Sequence, residues 1–165
     1  MSVRLRPLRE DEWPAFVEEG KRQYAEDMVE NAGFTPEAAE RKAEHDFVSV
    51  LPDGLATEGH FIFAVEDSST AERVGRLWFA RRKVDIGEVA YVYDIHIDEH
   101  ARGRGLGRAA MLALEEEVRQ RGLERISLNV FGGNAVARGL YASLGYHEIH
   151  VWMSKNLSSD QDGPS

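Results

Sequence analysis

Apolar and polar residues alternate through Val3-Arg4-Leu5-Arg6-Pro7-Leu8, which predicts a first strand. The alternation then stops. Asp11 stands where it can cap a helix starting at Glu12, with Pro14 tolerated in the first turn, and Gly33 offers that helix its stop. Thr35 ahead of Pro36 and Glu37 marks a second helix start, and this helix should fade before Pro52-Asp53-Gly54. His60 to Val65 and Arg73 to Phe79 read as two strands of a meander, separated by the turn residues Asp67-Ser68-Ser69. Val89 to Ile97 is a longer run rich in Val, Ile and Tyr. Its alternation predicts Tyr91, Tyr93, Ile95 and Ile97 on one face, with Val92, Asp94 and His96 on the other.

The period changes again after a glycine-rich turn. Leu106, Ala110, Leu114 and Val118 recur at helical spacing, and Gly122 follows as a terminator. Ile126 to Val130 predicts another strand, Asn134 caps a short helix through Leu144 with Gly145 as its stop, and His147 to Met153 predicts a last strand. The order is strand, two helices, two or three antiparallel strands, then strand, helix, strand, helix, strand. That pattern predicts an α/β (α+β) fold with a mixed, mostly antiparallel sheet flanked by helices. No repeat or linker divides the chain, so residues 1–157 are expected to form a single domain, with residues 158–165 a disordered Ser/Asp/Gly tail.

Composition narrows the chemistry. At 165 residues the chain can bury a real core. No apolar run approaches a membrane span, and the start lacks the apolar stretch of a signal peptide, so a cytoplasmic protein with no membrane partner is expected. The absence of cysteine excludes disulfides, thiolate chemistry and cysteine-based metal sites. A formal net charge of −9 argues against a nucleic-acid partner, which would want a basic face. It suits cationic amine substrates, and equally it suits plain solubility.

The glycine-rich turn, Arg102-Gly103-Arg104-Gly105-Leu106-Gly107, lies between a strand and the strongest helix. Glycines let backbone approach a ligand closely, and the first N–H groups of a helix are unpaired and lie at its positive end. With Arg102, Arg104 and Arg108 beside them, a pyrophosphate is the natural guest. A P-loop would need Gly-Lys followed by Ser or Thr, which this turn lacks. Gly105-Leu106-Gly107-Arg108-Ala109-Ala110 formally fits the dinucleotide pattern, but the following strand ends Leu128-Asn129-Val130-Phe131 without the acid that would hold a ribose.

Arg102-x-x-Gly105-x-Gly107 on a strand–helix turn resembles the acetyl-CoA pyrophosphate loop of the GCN5-related N-acetyltransferase (GNAT) superfamily. Asn134-x-x-Ala137-x-x-Leu140-Tyr141-x-x-Leu144-Gly145-Tyr146 is similar to the second signature segment of that superfamily, one strand later. The resemblance runs from about Tyr91 to Met153. It implies an acetyl-CoA-dependent N-acetyltransferase with a sheet splayed near Ile97 and the CoA in the split. The cofactor-binding residues it implies are Ile95, His96 and Ile97 through their backbone, Arg102, Gly103, Arg104, Gly105, Leu106, Gly107 and Arg108 around the pyrophosphate, and Asn134 with Tyr141. Tyr141 is the implied general acid for the departing thiolate, since a phenol is neutral at working pH. The same spacing would also suit a core aromatic, and Asn134 would equally suit a pure helix cap. Transfer is expected to be direct, because there is no cysteine to carry the acyl group.

The sequence departs from some relatives at the base. Ribosomal-protein N-terminal acetylases carry a Glu on the strand after the loop helix, where this chain has Asn129. Asp94 and His96 are the candidate bases, with Glu88 just ahead of the strand. Tyr24 and Asp27, with Glu26 and Glu30, are candidates to line an acceptor cleft or to form a solvated helix face. His96 and His100 lie on a strand and its exit turn and should not converge, so no metal is expected. The resemblance implies an amine acceptor, either a small molecule or a peptide, and leaves room for a homodimer. A non-catalytic acyl-CoA sensor on the same fold is the competing expectation.

Overall fold

Local sequence signals account for most of the elements in the computed structural model, which describes residues 2–158. β1 is Val3–Pro7. Helix α1, Trp13–Ala32, ends at Gly33 with φ of 72°, and α2, Pro36–Val50, begins where the Thr35 hydroxyl accepts the Ala38 N–H. β2 (His60–Asp67), β3 (Arg73–Val84) and β4 (Gly87–Ile97) form the meander. Then come α3 (Leu106–Gln120), β5 (Ile126–Leu128) and α4 (Ala135–Ser143). The strands lie in the order β1-β2-β3-β4-β5, all neighbours antiparallel except the parallel pair β4 and β5. The mixed, mostly antiparallel sheet flanked by helices is therefore the architecture.

Two layers of apolar side chains cover the sheet. Leu77, Phe79 and Val92 pack with Leu106, Met111 and Leu114 of α3 on one face. Ile62, Trp78 and Tyr93 pack with Phe16 of α1 and Phe47 of α2 on the other. The two covering helices approach closely because Gly20 has no side chain: a Cβ there would lie 2.8 Å from the Phe47 ring.

The structure corrects the sequence reading at four places. Residues Glu10–Glu12 form a 3-10 turn, so α1 starts at Trp13, and Asp11 pairs with Arg9 at 3.2 Å instead of capping. β5 ends at Leu128 because its partner β4 leaves it beyond Val92. Residues 147–153 form no strand: they run on from α4 without secondary structure. The uniform alternation of β4 fails at a β-bulge. Trp78 pairs with Asp94 and Phe79 with Val92, which leaves Tyr93 as the extra residue. Tyr91 and Tyr93 thus share the α1–α2 face with Asp94 and His96, while Val92 joins Ile95 and Ile97 on the α3 face. From residue 159 the expected tail lies outside the described residues.

Gly75 is required by contact. A Cβ there would stand 2.1 Å from the His96 carbonyl oxygen, in the part of β3 that faces the end of β4. Gly75→Ala should therefore push the two strands apart and lower unfolding stability by about 1–3 kcal/mol, the usual cost of overpacking. Urea titration of both proteins checks it, and an unchanged midpoint would contradict the geometry.

Candidate active site

The ladder between β4 and β5 covers only Ala90 to Val92 against Ile126 to Leu128. Beyond it β4 keeps β3 on one edge and has no strand on the other. The Asp98 N–H donates to Val74 of β3 at 2.8 Å, so strand alternation turns the N–H groups of Ile95 and Ile97 to the open edge. The Ile97 carbonyl also lies there and accepts the Arg102 Nε–H at 3.0 Å.

Immediately beyond this edge the chain enters the glycine-rich turn. Gly103 and Gly105 both have φ of 75°, a left-handed conformation that a side chain would strain. Gly105 is the N-cap of α3. From Gly103 to Arg108 no amide N–H has a hydrogen-bond acceptor among the described residues. Such a row of donors at the positive end of a helix favours negative charge. Gly107 fits where the elements meet, since a Cβ there would be 3.6 Å from Leu140 of α4 and 3.9 Å from Ile97.

The three arginines of the turn are tethers. Besides Arg102 on Ile97, Arg104 Nη2 donates to Asp67 Oδ2 at 2.7 Å, and Arg108 donates to the Ser143 hydroxyl. Asp67 also accepts the Ser69 N–H at 2.9 Å and the Ser69 hydroxyl at 2.6 Å, and its side chain is only 3% exposed. These hydrogen bonds, those from Ser69 foremost, hold its carboxyl below the usual carboxylate range. The loop is thus tied to β4, to β2 and to α4.

Tyr141 and Asn134 stand on α4. The Asn134 Oδ1 accepts the Ala137 N–H at 3.2 Å, so this side chain caps the helix. Tyr141 is half-buried, with its ring 5.7 Å from that of Tyr146. Burial pushes its phenol above the ordinary value, and the Asp94 carboxylate pushes the same way. The phenol is held protonated, as a proton donor needs to be.

The other side of the opening is acidic and is built around a residue that sequence reasoning missed. Arg76 of β3 is 3% exposed; its Nε donates to Asp94 Oδ2 at 2.5 Å, and its Nη1 lies 3.6 Å from Glu19 Oε2. Its Nη2 is buried without a partner. Burial pushes the Asp94 carboxyl up and Arg76 draws it back. Asp27 feels burial first and the same arginine, and it accepts the Gln23 side chain at 3.2 Å. Glu19, Gln23 and Asp27 recur at helical spacing on α1, a polar stripe turned to the sheet. That stripe, together with an arginine inside the apolar run of β3, was the available signal. The other expected acceptor residues divide. Tyr24 donates to Asp46 of α2 at 2.9 Å and so braces the two helices, while Glu26 and Glu30 line an outer groove. That groove, about 620 Å³ between α1 and α2, shares no residue with the opening.

His96 lies on the acidic side, 19% exposed, with Nε2 4.0 Å from Asp98. Burial, then the Arg76 and Arg102 cations, push its imidazole down to about 4. His100 pairs instead with Glu72 at 3.2 Å, so the two histidines do not converge. Among the described residues no group of His, Asp and Glu stands where it could hold a metal ion, and no helix is long and apolar enough to cross a membrane.

Comparison with known proteins identifies the family and the fold. Residues 5–146 match the Acetyltransferase (GNAT) family. YycN of Bacillus subtilis (strain 168), an uncharacterized N-acetyltransferase, is 32% identical over 157 residues, covering 95% of this chain and 100% of that protein. A mycothiol acetyltransferase of Kytococcus sedentarius is 30% identical over 152 residues, which is 90% of this chain but 47% of that protein. The crystal structure of YycN superposes with a TM-score of 0.89 at 31% identity, over 95% of this chain and 99% of that one. A predicted acetyltransferase from Clostridium acetobutylicum, crystallised with acetyl-CoA, shares the fold at a TM-score of 0.66 and 17% identity, over 94% of this chain and 96% of that one.

The depressed imidazole has a measurable consequence. Its folded value of about 4 lies below the ordinary 6.5, so on acidification the unfolded chain takes up this proton first. Stability from this group is therefore intact above the ordinary value and is lost as pH falls towards the folded one. His96→Gln should lose less stability than the wild type between pH 6.5 and 4. Ring-nitrogen NMR should show His96 neutral at pH 6, and a shift midway through protonation there would contradict the assignment.

Proposed function

The chain belongs to the acetyltransferase (GNAT) family, and on that footing we propose that it transfers an acetyl group from acetyl-CoA to a primary amine by direct attack, with both substrates bound together. The observation that carries the proposal is the opening beyond Val92 and Leu128, with free N–H donors along the edge of β4 and in the glycine turn, the Arg76, Asp94 and Glu19 cluster on the α1–α2 face, and Tyr141 on α4.

The amides from Gly103 to Arg108, at the N-terminus of α3, take the pyrophosphate, and the tethered arginines keep that row of donors in shape. The Ile95 and Ile97 N–H groups, on either side of His96, orient the pantetheine and face the charge that develops on the thioester oxygen. Leu106 and Gly107 begin the helix beneath it, and Asn134 fixes the start of α4 so that Tyr141 reaches the sulfur. As the amine nitrogen bonds to the carbonyl carbon and the carbon–sulfur bond breaks, Tyr141 gives its phenolic proton to the sulfur. Asp94, directly or by water and with His96 as the neighbouring acceptor, first takes a proton from the ammonium so that its nitrogen can attack, and the second proton the nitrogen loses returns to the Tyr141 phenolate. The net products are an N-acetylated amine and the free CoA thiol.

Glu19, Asp27 and Asp94 make the acceptor side attractive to a cation, in keeping with the net charge of −9. The acceptor is accordingly a small amine or a peptide amine that arrives protonated, with Asp27 nearest the entry from α1 and Tyr24 bracing the helix that carries it. In this reading residues 1–157 work as one N-acetyltransferase domain in the cytoplasm, without nucleic acid, membrane or metal.

The test is CoA-thiol release from acetyl-CoA across an amine panel. Tyr141→Phe should lower kcat by at least about tenfold, within the reach of a general acid, while acetyl-CoA affinity stays unchanged. Turnover that survives the substitution at the wild-type rate would remove Tyr141 from the mechanism. Asp27→Asn should raise KM for cationic acceptors several-fold and leave acetyl-CoA binding alone. Equal KM values for the two proteins would place the acceptor elsewhere.

A further inference from the structure

The acceptor side of the opening holds a further pair of polar side chains, which the proton transfers leave unused. The β4–β5 ladder ends where Val92 meets Leu128, so Asn129 is the first residue beyond it. Its Nδ2 donates to the Tyr91 hydroxyl at 2.6 Å. Tyr91 touches Tyr93 on the α1–α2 face of β4, so the pair lies on the face that carries Asp94 and Arg76. The Tyr91 ring is fixed from two sides. The Arg82 guanidinium lies 4.6 Å over it, and the Tyr93 ring meets it edge-on at 4.8 Å. Two residues after Asn129, Phe131 packs against the cluster of Met28 and Ala39, which ties this segment to α1 and α2.

Their mutual hydrogen bond decides what the two side chains have left to offer. The Tyr91 oxygen is used as an acceptor, so its O–H remains as a donor, while Asn129 keeps Oδ1 as an acceptor. Among the described residues the first has no acceptor and the second no donor. Asn129 is exposed and Tyr91 half-buried, so a bound molecule can reach both. One donor beside one acceptor is the complement of an amide group, which brings a carbonyl and an N–H. A carboxamide does not take up the proton of an ammonium, so what Asn129 contributes is recognition.

We propose that Tyr91 and Asn129 determine acceptor specificity by binding an amide close to the reacting amine, with the Tyr91 O–H on its carbonyl and Asn129 Oδ1 on its N–H. The acceptor is then an amine with an amide one or two carbons away, in place of a plain alkyl amine. This rests on the acetyl transfer proposed above. Spacing along β4 supports it. Continuing the register of Val92 with Leu128 puts Asn129 level with Tyr93. Ile95, whose N–H faces the thioester in that reaction, lies two residues further, about 6–7 Å. Hydrogen bonds of about 3 Å take up part of that distance. What is left matches the reach from an amine nitrogen to an amide one or two carbons along. The acidic cluster takes the ammonium, and the neutral pair reads the group beside it.

Initial rates of CoA-thiol release with alaninamide, alanine methyl ester and propylamine test this in the wild type, Asn129→Ala and Tyr91→Phe. The ester keeps the carbonyl, lacks the N–H and has an amine of similar basicity to the amide, so protonation does not separate the two. The wild type is expected to prefer the amide. Asn129→Ala should lower kcat/KM for alaninamide at least about fivefold and leave ester and propylamine within about twofold. Tyr91→Phe should lower alaninamide and ester alike by at least about fivefold and spare propylamine. Acetyl-CoA affinity should be the same in all three proteins. A tripeptide with N-terminal alanine separates the sources: a kcat/KM above that of alaninamide, with the same two sensitivities, supports a peptide terminus, and one below it supports a small amide. Should Tyr91→Phe fail to fold, Asn129→Ala decides alone. Equal losses with all three acceptors overturn the proposal, because the pair would then only hold the sheet edge. A wild type that uses the ester as well as the amide overturns it too. If acetyl-CoA binds and no amine is acetylated, the transfer reaction itself fails and the specificity falls with it.

Discussion

One extra residue in β4 sets up everything around the opening. With Tyr93 bulged, the strand exchanges its faces, and the change falls where β4 and β5 part. Upstream, Ala90 and Val92 pack under α3; downstream, Ile95 and Ile97 take over that task, and Asp94 turns with Tyr93 to the α1–α2 side. Without the bulge, Asp94 and His96 would point into the apolar layer beneath α3, and Ile95 and Ile97 would face the acidic helix stripe. A bulge also bends its strand and deepens the twist, which is how a sheet opens without a break in the chain. The unpaired edge groups that result would be costly if buried, but here they face the ligand side of the molecule.

The second constraint is electrostatic. Burial raises the proton affinity of Asp94 and Asp27, and neighbouring carboxylates push both the same way. The buried Arg76 guanidinium, lying on Asp94 and near Glu19, opposes this at both aspartates, while burial still holds their carboxyls above the usual carboxylate range. Its own burial is tolerated because those carboxylates surround it. On the opposite wall, Asp67 does for Arg104 what Arg76 does for Asp94, with the signs of anchor and tenant reversed. In both cases a nearly buried ion fixes a more exposed partner of opposite charge at the rim of the opening.

How far the sequence could be read follows from the range of the interactions involved. The caps at Thr35 and Asn134, the stop at Gly33 and the glycine turn are decided within a few residues, and each stands where local rules put it. Both signature segments were legible for the same reason. The bulge was not, because alternation looks the same on either side of a one-residue slip and only the register with β3 exposes it. Asp11 looked like a cap, but the preceding 3-10 turn moved the helix start past it. Arg76 and Glu19 come from different elements and acquire meaning only when the sheet and α1 are packed together. The strand expected at His147 to Met153 has the right alternation and lacks only a neighbour, and a neighbour is not a property of a sequence window.

The arginines of the glycine turn have partners within the protein as well as charge to offer an anion. Read from sequence, three cations in seven residues are phosphate ligands; in the fold, each is committed to a backbone or side-chain acceptor of the protein itself. What remains for an anion is the set of main-chain N–H groups and the helix terminus behind them, with the arginine charges as a surrounding field. Donors of that kind are useful only if they are fixed before the ligand arrives, since ordering six amides at the moment of binding would cost backbone entropy at each. Two left-handed glycines give the loop its shape but also the freedom to lose it. The tethers to β4, β2 and α4 restrict that freedom, so in the proposed function the positive residues of the turn also hold still the neutral groups beside them.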